Sequence, residues 1–369
     1  MKGGRLRIRG GGSDYIIISA ALLLVIFGLV MIASASSHLG QKLFHDSYYY
    51  LKHQLLYGFL VGLAGLVIAS NIHYRAFEKI AAIILLLALL LLLLTFTRYG
   101  VAAGGAARWL KLGPVTFQPS ELLKPALIIY LAAWLGKSED RRRDLAKGFA
   151  PFIIVLGITM FMLLKQPATS TAAILAMIAL IMYFISGARF TYILAVILLA
   201  LITISIVIYY TPYRLERIKT FLNPEQDPQK SGYQITQAKI AIGSGKLLGV
   251  GYGQSTSKIS ILPEPLHDSI FAVIAEETGF VGAATLILLI LILVLRMLVL
   301  ANRSHDQFGQ LLLVGFASLI ALQSFVNIGA ISGLLPLTGT PLPFISYGGT
   351  ALAVFMTIAG IANNVAKYS

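Results

Sequence analysis

Cysteine is absent from the 369-residue chain. Disulfide bonds, thiolate nucleophiles and cysteine-ligated zinc are therefore excluded. Charged residues are also scarce, at 12% of the chain, where a soluble domain usually carries about 25%. Apolar residues make up 57%, so the composition indicates a membrane protein with little room for a separate soluble domain.

Long apolar runs occupy most of the chain. An apolar stretch of roughly 20 residues spans a bilayer as a helix, and backbone groups in lipid must be hydrogen-bonded within their own segment. We therefore expect an all-α polytopic membrane protein of about ten transmembrane helices, forming one domain over residues 1–369. The predicted spans are Tyr15–Ser36, Gln54–Ser70, Ile80–Thr97, Pro119–Leu135, Phe149–Leu164, Thr169–Ser186, Tyr192–Tyr210, Ser269–Leu295, Phe308–Ile331 and Ile345–Val365.

The basic residues predict the orientation. Cytoplasmic loops carry more Lys and Arg than outer loops do, and long loops count weakly in this rule. We leave the segments Arg98–Lys124 and Tyr213–Asp268 out of the count. If the N-terminus lies inside the cell, the remaining basic residues divide into 15 on the inner side and 3 on the outer side. Both termini are therefore predicted to be cytoplasmic, with a basic tail over residues 1–14. A long extracytoplasmic loop over residues 211–268 then joins spans seven and eight.

The net charge is +14, which in a soluble chain would indicate nucleic-acid binding. Here Lys and Arg flank membrane spans and meet anionic headgroups, so no nucleic-acid partner is expected. The two outer segments rich in Arg and Lys indicate either an anion handled at the outer face or a basic face in contact with solvent and headgroups.

The first informative outer segment runs from Gly104 to Pro125. Gly113 and Pro114 mark a turn, and a helix begins soon after them. Glu121 and Lys124 then lie three residues apart on one helical face. Such a pair could be a plain surface salt bridge, but ionisable residues at a membrane helix end usually face a cavity or a partner.

The second informative segment is the long loop before Asp268. About 58 residues between spans far exceed the usual connection length, and the aromatic residues and glycines argue against disorder. A Walker phosphate loop is excluded because it needs a glycine at position 240, where the chain has Ile240. We interpret Gly243 and Gly245 as positions of tight turns and close packing against the membrane helices.

Asp268 precedes a helix predicted to begin at Ser269. It could be a helix N-cap worth about 1 kcal/mol, and the same helix end would favour an ionised carboxylate that can accept a proton. His267 is interpreted as a local hydrogen-bonding group rather than a metal ligand. Glu276 and Glu277 follow in the same helix, and at least one must face protein or water because a charge facing lipid is costly.

The stretch 327–349 is rich in proline and glycine, which forbids a continuous helix. Broken backbone at membrane depth is buried in protein or lines a cavity. The alternative is an ordinary re-entrant turn between the last two spans.

Together these segments resemble the SEDS family (shape, elongation, division, sporulation). Four segments carry the resemblance in order along a ten-span frame, and the loop and tail are closer to the family's division member than to its elongation member. They are Arg108-Trp109 with Gln118-Pro119-Ser120-Glu121 and Lys124; Asn223-Pro224 with Gly232-Tyr233-Gln234 and Gly243-Ser244-Gly245; Leu262-Pro263-Glu264 with Asp268, Glu276 and Glu277; and Pro343-Phe344-Ile345-Ser346-Tyr347-Gly348-Gly349. The family often has His-Thr before its aspartate, whereas Leu266-His267 stand here, so His267 is not given the family role.

The resemblance implies a peptidoglycan glycosyltransferase of the bacterial cytoplasmic membrane. Such enzymes polymerise lipid II, an undecaprenyl-pyrophosphate-linked disaccharide-pentapeptide, at the outer face. Implied partners are a class B penicillin-binding protein and other divisome membrane proteins, and the implied place is the division septum. The family's essential acidic residue falls on Asp268. We expect substrate contacts from Arg108, Gln118, Glu121, Lys124, Lys258, Glu264 and Ser346, and structural roles for Pro224, Gly232, Gly243, Gly245, Pro343 and Gly348.

The implied reaction inverts the donor sugar, because an α-linked donor gives a β-1,4 product. Inversion needs one base for the acceptor hydroxyl, and Asp268 can supply it. The leaving pyrophosphate needs positive charge, which Arg108 and Lys124 can provide; no cofactor is certain, and a divalent cation (Mg or Mn) could assist. We therefore predict that these three side chains line one outward-facing cavity open to lipid.

Three alternatives stay open. A lipid II flippase would place charged groups along a path through the whole bilayer, whereas here they crowd the outer half. An elongation polymerase would perform the same chemistry along the lateral wall. A non-catalytic scaffold for other division proteins would use Asp268 only as a helix cap.

Overall fold

The structure is a computed structural model and describes residues 12–103, 106–113, 115–137, 144–209, 211–222, 231–260 and 262–368. Pro224 lies outside these described residues. Helices carry most of the described chain. They are α1 (Tyr15–Phe44), α2 (Tyr49–Gln54), α3 (Leu60–Asn71), α4 (Arg75–Leu94), α5 (Pro119–Leu135), α6 (Ala150–Lys165), α7 (Thr169–Ile185), α8 (Phe190–Tyr209), α9 (Pro212–Leu222), α10 (Ser231–Ser244), α11 (Ser257–Ser260), α12 (Ile270–Arg303), α13 (Gln307–Ile331) and α14 (Gly349–Lys367), with π-helical turns at Leu55–Phe59 and Leu145–Phe149.

Each of the ten predicted spans falls on one of these helices. Within the described residues, seven helical segments are long and apolar enough to cross a membrane. The other three spans fall on α5, α7 and α8; α5 and α7 have 17 residues each, about 26 Å of helix, slightly less than the roughly 30 Å of bilayer hydrocarbon. The chain is therefore an integral membrane protein, and the prediction of a polytopic helical fold is confirmed.

A small antiparallel sheet interrupts this helical plan and was not predicted. Strands β1 (Gly100–Ala103), β2 (Ala106–Leu112) and β3 (Val115–Phe117) pair in that order. The turn between β2 and β3 contains Gly113 at φ +61°, a conformation that glycine adopts without a steric penalty. Lipid does not tolerate open sheet edges, so this sheet lies at the end of the bundle and leads into α5.

Helix α12 is broken near its start, where an unbroken span was predicted. Gly279 has φ +66° and ψ −165° inside the helix, so Ile270–Thr278 forms a separate short helix ahead of the long one. A side chain at 279 would collide with the backbone of Leu247 and Gly249. The break therefore exists where the loop before Asp268 packs closely against α12.

Glycines bring the helices around the core into close contact. Gly62 of α3 faces Met356 of α14, and Gly360 faces the backbone of Leu66, as expected where small residues let membrane helices approach. At the opposite end from Asp268, the Asp14 backbone N–H donates to Asn363 at 2.8 Å. The two ends of the described chain therefore meet on the same side, as predicted for the termini.

Helix α10 fastens the long loop to the first part of α12. Gly245 ends this helix and packs against the Ala275 carbonyl, where a Cβ would collide, and Gly232 is buried near its start. Gly243 is exposed, with open space where a Cβ would lie. Close packing was the wrong expectation for Gly243, because the helix turns that position toward the outside.

Candidate active site

Asp268 lies at the end of a tight turn, directly before α12. The N-cap of α12 is Ser269, and no side chain makes a capping hydrogen bond there. The Oδ1 atom of Asp268 is buried and has no hydrogen-bond partner among the residues that the structure describes. The interpretation of Asp268 as a simple N-cap is therefore wrong, and a buried carboxylate oxygen without a partner needs another explanation.

The environment of Asp268 disfavours its charge. Burial raises the pKa of the Asp268 carboxyl above its ordinary value, and the negative charge of Glu264 adds to this effect. A hydrogen bond with the Asp268 backbone, the charge of His267 and a hydrogen bond with the Gln234 side chain have smaller, opposing effects on this pKa. A raised pKa makes an ionised carboxylate a stronger base, which is typical of catalytic carboxyl groups.

The turn that carries Asp268 is closed by Glu264. Its backbone has φ +48°, and its carbonyl accepts from the N–H groups of His267 and Ser269 at 3.2 and 3.3 Å. Its carboxylate lies 3.0 Å from the imidazole Nδ1 of His267, and this contact lowers the pKa of Glu264. His267 thus pairs with Glu264, as its interpretation as a local hydrogen-bonding group predicted.

The proline- and glycine-rich segment after α13 holds this turn in place. Ser346 Oγ donates to the His267 carbonyl at 2.5 Å and accepts from the Leu342 N–H at 2.8 Å. Tyr347 N–H donates to the Leu266 carbonyl at 2.9 Å. Ser346 was predicted to contact substrate, but both of its polar contacts are to the backbone, so it acts as a positioning residue.

Asn327 of α13 binds the same turn from the membrane side. Its Nδ2 donates to the backbone carbonyl of Asp268 at 2.9 Å and to that of Thr340 at 2.7 Å. Gly339 faces the carboxylate itself, because a Cβ at Gly339 would lie 3.9 Å from Asp268 Oδ2. The backbone on both sides of Asp268 is therefore fixed, while Oδ1 of its side chain has no hydrogen-bond partner among the described residues.

Lys124 lies beneath the proline- and glycine-rich segment after α13, in a buried hydrogen-bonded network. Its Nζ is 2.7 Å from Glu121 Oε2 and donates to Gln323 Oε1 at 2.8 Å, and Gln323 Nε2 donates to the Pro341 carbonyl at 2.8 Å. Gln323 and Asn327 are one turn apart on α13. Lys124 therefore reaches the Asp268 turn through α13 rather than by direct contact.

Arg108 lies on β2 and binds the connection between α6 and α7. Its Nε and Nη2 donate to the carbonyls of Gln166 and Pro167 at 3.1 and 2.7 Å. In the described part of the chain, no lysine or arginine forms an ion pair with Asp268. Both cations are engaged by other groups, so neither contacts Asp268 directly, and the cavity that the three side chains were predicted to line stays a prediction.

Gln118, Pro343 and Gly348 hold the segments around the site. Gln118 Nε2 donates to Ser120 Oγ at 2.9 Å, and Pro343 is buried. Gly348 has φ +159°, and its N–H donates to Gln54 Oε1 at 3.0 Å just before α14 begins. The burial of Pro343 and the hydrogen bond of Gly348 are consistent with their predicted structural roles, whereas the Gln118 side chain contacts its own helix end.

Lys258 was predicted to contact substrate, and the structure places it elsewhere. Its Nζ lies 2.6 Å from Glu277 Oε1, 2.8 Å from Ser34 Oγ and 3.0 Å from the Gly253 carbonyl. The ammonium group is enclosed by these three acceptors, so it neutralises Glu277 instead of binding substrate. Glu276 is also buried and accepts from Ser255 Oγ at 2.6 Å. Both glutamates thus face protein, as expected from the free-energy cost of a charge that faces lipid.

Gln323 and the hydrogen-bonding role of Asn327 were not predicted from the sequence. Both are polar residues inside an apolar span, and such residues usually mark a functional or packing site. That signal was available in the sequence.

Among the described residues there is no group of three or more His, Asp or Glu that could hold a metal ion.

Comparison with known families identifies the chain's relatives. A family model described as cell cycle protein, which groups FtsW, RodA and SpoVE, matches residues 14–369. The chain belongs to this family.

Two curated members of the family illustrate the similarity. A probable peptidoglycan glycosyltransferase FtsW of Geobacter sp. (strain M18) is 40% identical over 355 residues, covering 96% of each chain. Stage V sporulation protein E of Bacillus subtilis is 35% identical over 359 residues, covering 96% of this chain and 97% of its own length. The similarity therefore extends over nearly the whole of each protein.

Solved structures of the family share the fold. A chain from a study of polymerization and crosslinking by a peptidoglycan synthase complex has a TM-score of 0.79 and 26% identity, covering 96% of this chain and 98% of its own. A mutant of the rod shape determining protein RodA of Thermus thermophilus has a TM-score of 0.70 and 25% identity, covering 96% and 97%. The helical architecture described above is thus that of the FtsW/RodA/SpoVE family.

Proposed function

We propose that this family member is a peptidoglycan glycosyltransferase that polymerises lipid II at the outer face of the cytoplasmic membrane, with Asp268 as its general base. One observation carries the assignment of the base: the backbone around Asp268 is fixed by Asn327 and Ser346, while its buried Oδ1 has no hydrogen-bond partner in the described part of the chain. A fixed carboxylate with an open acceptor site is what removal of a hydroxyl proton requires.

The reaction at this base is a displacement at the anomeric carbon of the donor. Asp268 accepts the proton of the acceptor 4-hydroxyl as that oxygen bonds to the anomeric carbon. The bond from that carbon to the pyrophosphate oxygen breaks, and the polyprenyl pyrophosphate leaves with the electron pair. One base is sufficient, because the α-linked donor becomes a β-1,4 product in a single inversion.

The negative charge of the leaving pyrophosphate needs stabilisation. Lys124 and Arg108, the two cations predicted to provide it, differ in how accessible they are to a substrate. Lys124 is enclosed and paired with Glu121, whereas Arg108 is only partly buried. We assign the phosphate contact to Arg108 and a positioning role to Lys124, which orients Gln323 beneath the segment carrying Gly339. A divalent cation could share the charge of the leaving group.

The setting of this activity is proposed from the relatives. Relatives about 40% identical are named FtsW, and one structural neighbour comes from a peptidoglycan synthase complex. They support septal wall synthesis during cell division, together with a class B penicillin-binding protein and other divisome membrane proteins. The elongation polymerase remains the alternative within the family, and midcell or lateral-wall localisation of a fluorescent fusion separates the two.

Asp268→Asn tests the proposed base. The protein, copurified with its penicillin-binding partner, is given labelled lipid II in the presence of penicillin, which blocks crosslinking. We expect polymer formation to fall by about 10²–10⁴-fold, the usual contribution of a general base. The variant should melt no lower than wild type, because burial penalises only the charged form that asparagine removes.

Asp46→Asn is the matched control, since Asp46 is a partly exposed carboxylate before α2 that pairs with Lys52, and an amide at this position should leave polymer formation unchanged. Undiminished polymer from a folded Asp268→Asn variant would exclude Asp268 as the base. Transport of lipid II by the wild type without any polymer would instead favour the flippase.

A further inference from the structure

A connected group of aromatic rings begins beside Asp268. The imidazole of His267 meets the Tyr347 ring edge-to-face at 5.5 Å between centroids, and Tyr347 meets Tyr50 in the same way at 5.2 Å. Tyr50 contacts Tyr49 at 5.6 Å, and Tyr49 stacks on Phe44 at 3.7 Å. We call these five side chains the aromatic track.

Hydrogen bonds fix the inner half of the track to the candidate site. The Tyr347 hydroxyl lies 2.9 Å from Nδ1 of His53, and its backbone N–H binds the turn that carries Asp268. Tyr50 lies close enough to Glu264 for an electrostatic interaction. The rings therefore have a defined position relative to the Asp268 carboxylate.

The outer half of the track is open. The exposed fractions are 44% for Phe44 and 36% for Tyr49. Phe44 ends the 30-residue helix α1, which is about 45 Å long, whereas the bilayer hydrocarbon is about 30 Å thick. With α1 starting at the opposite membrane face, its last turns extend beyond the hydrocarbon, so this part of the track lies in the polar region outside it.

The chemistry of the track suits a chain of sugars. Aromatic faces carry partial negative charge, and the C–H groups on the faces of a pyranose are apolar and slightly positive. A pyranose therefore stacks on a tyrosine or phenylalanine ring while its hydroxyl groups stay in water. Phe44 and Tyr49 cover one face of each other, so sugars of one strand meet the remaining exposed faces and edges of the successive rings.

We propose that the aromatic track binds the growing glycan strand beside Asp268 and keeps it bound between additions. This proposal rests on the proposed glycosyltransferase function. The track contacts sugars away from the bond being made, so its loss affects how long the strand stays bound more than how fast a bond forms. It therefore determines the length of the product.

The test compares Tyr50→Leu, Tyr50→Phe and Tyr49→Leu in the copurified complex with penicillin present. Leucine removes the ring face, whereas phenylalanine keeps it. We expect both leucine variants to shorten the mean glycan by roughly fivefold, the effect of losing about 1 kcal/mol of ring contact. Formation of the first bond from two lipid II molecules should stay within about twofold of wild type, since no reacting group has been changed.

Tyr48→Leu is the matched control, because Tyr48 is adjacent and 56% exposed but its ring lies outside the track. It and Tyr50→Phe should give strands of wild-type length. As an independent test, saturation-transfer NMR with soluble glycan oligosaccharides should show a signal for wild type that is weakened in Tyr49→Leu and Tyr50→Leu.

Several results would overturn the proposal that the aromatic track binds the glycan strand. Strands of wild-type length from both leucine variants would do so, and so would a Tyr50→Phe variant as defective as Tyr50→Leu. Loss of copurification with the penicillin-binding protein at unchanged strand length would make this surface a protein interface. Absence of polymer from wild type would instead refute the proposed function, and the oligosaccharide experiment would still decide whether the rings bind glycan.

Discussion

At the scale of single residues, the site separates fixed backbone from an uncommitted side chain. Asn327 and Ser346 bind the carbonyls of Asp268 and His267, yet Oδ1 of Asp268 has no hydrogen-bond partner within the described ranges. Burial and Glu264 together raise the pKa of this carboxyl. The hydrogen bonds thus fix the backbone position, and the raised pKa makes the ionised carboxylate a stronger base than an ordinary aspartate.

The pH dependence of polymer formation should reflect this raised pKa. Activity requires the ionised carboxylate, so it should fall as the pH is lowered through the folded-state pKa, which lies above the ordinary aspartate value. Glu264→Gln removes a negative charge that raises this pKa, so the acidic limb of the rate profile should move to lower pH. An acidic limb that does not move in this variant would contradict the interaction between Glu264 and Asp268.

Lys258 and Glu277 make a second prediction at this scale. Lys258→Met leaves a buried glutamate unpaired, which should destabilise the protein by about 3–5 kcal/mol, measured as a lower melting temperature. Adding Glu277→Gln removes the stranded charge and should restore most of the melting temperature and the polymer formation. A double variant that is stable but inactive would support a substrate contact for Lys258 after all.

At the scale of elements, the break in α12 determines how the long loop docks. The backbone N–H groups of Val250 and Gly251 donate to the carbonyls of Glu276 and Glu277 at 2.9 and 3.1 Å, groups at the end of the short helix that precedes Gly279. The loop therefore completes the hydrogen bonds that the break leaves open.

Gly279→Ala tests this arrangement. Alanine is strained at φ +66°, and its Cβ would collide with Leu247 and Gly249, so we expect a loss of stability of about 2 kcal/mol or more. Thermal melting of the purified protein measures it. Gly157→Ala is the matched control: it lies inside α6 with open space for a Cβ, and alanine there should be neutral or stabilising by up to about 1 kcal/mol.

At the scale of the whole molecule, the sequence predicted what depends on local patterns. Apolar runs located the spans, because lipid demands internally paired helices, and α5 was placed at its observed bounds by Pro119. The three-stranded sheet was missed because its strands are short and their pairing is not visible in a single run. The engagement of Lys124 by Glu121 and Gln323 was not predicted, because it depends on how α5 and α13 pack, which no local pattern encodes.

The contacts that hold Asp268 allow amino-acid substitutions at the two positions before it. Asn327, Ser346 and the Tyr347 N–H all bind main-chain oxygens of residues 266–268, atoms that every amino acid supplies. Exchanges at 266 and 267 therefore leave the aspartate where it is, provided the new side chains fit. Chains that read His-Thr and this chain, which has Leu266-His267, can then present the same carboxylate from different neighbours.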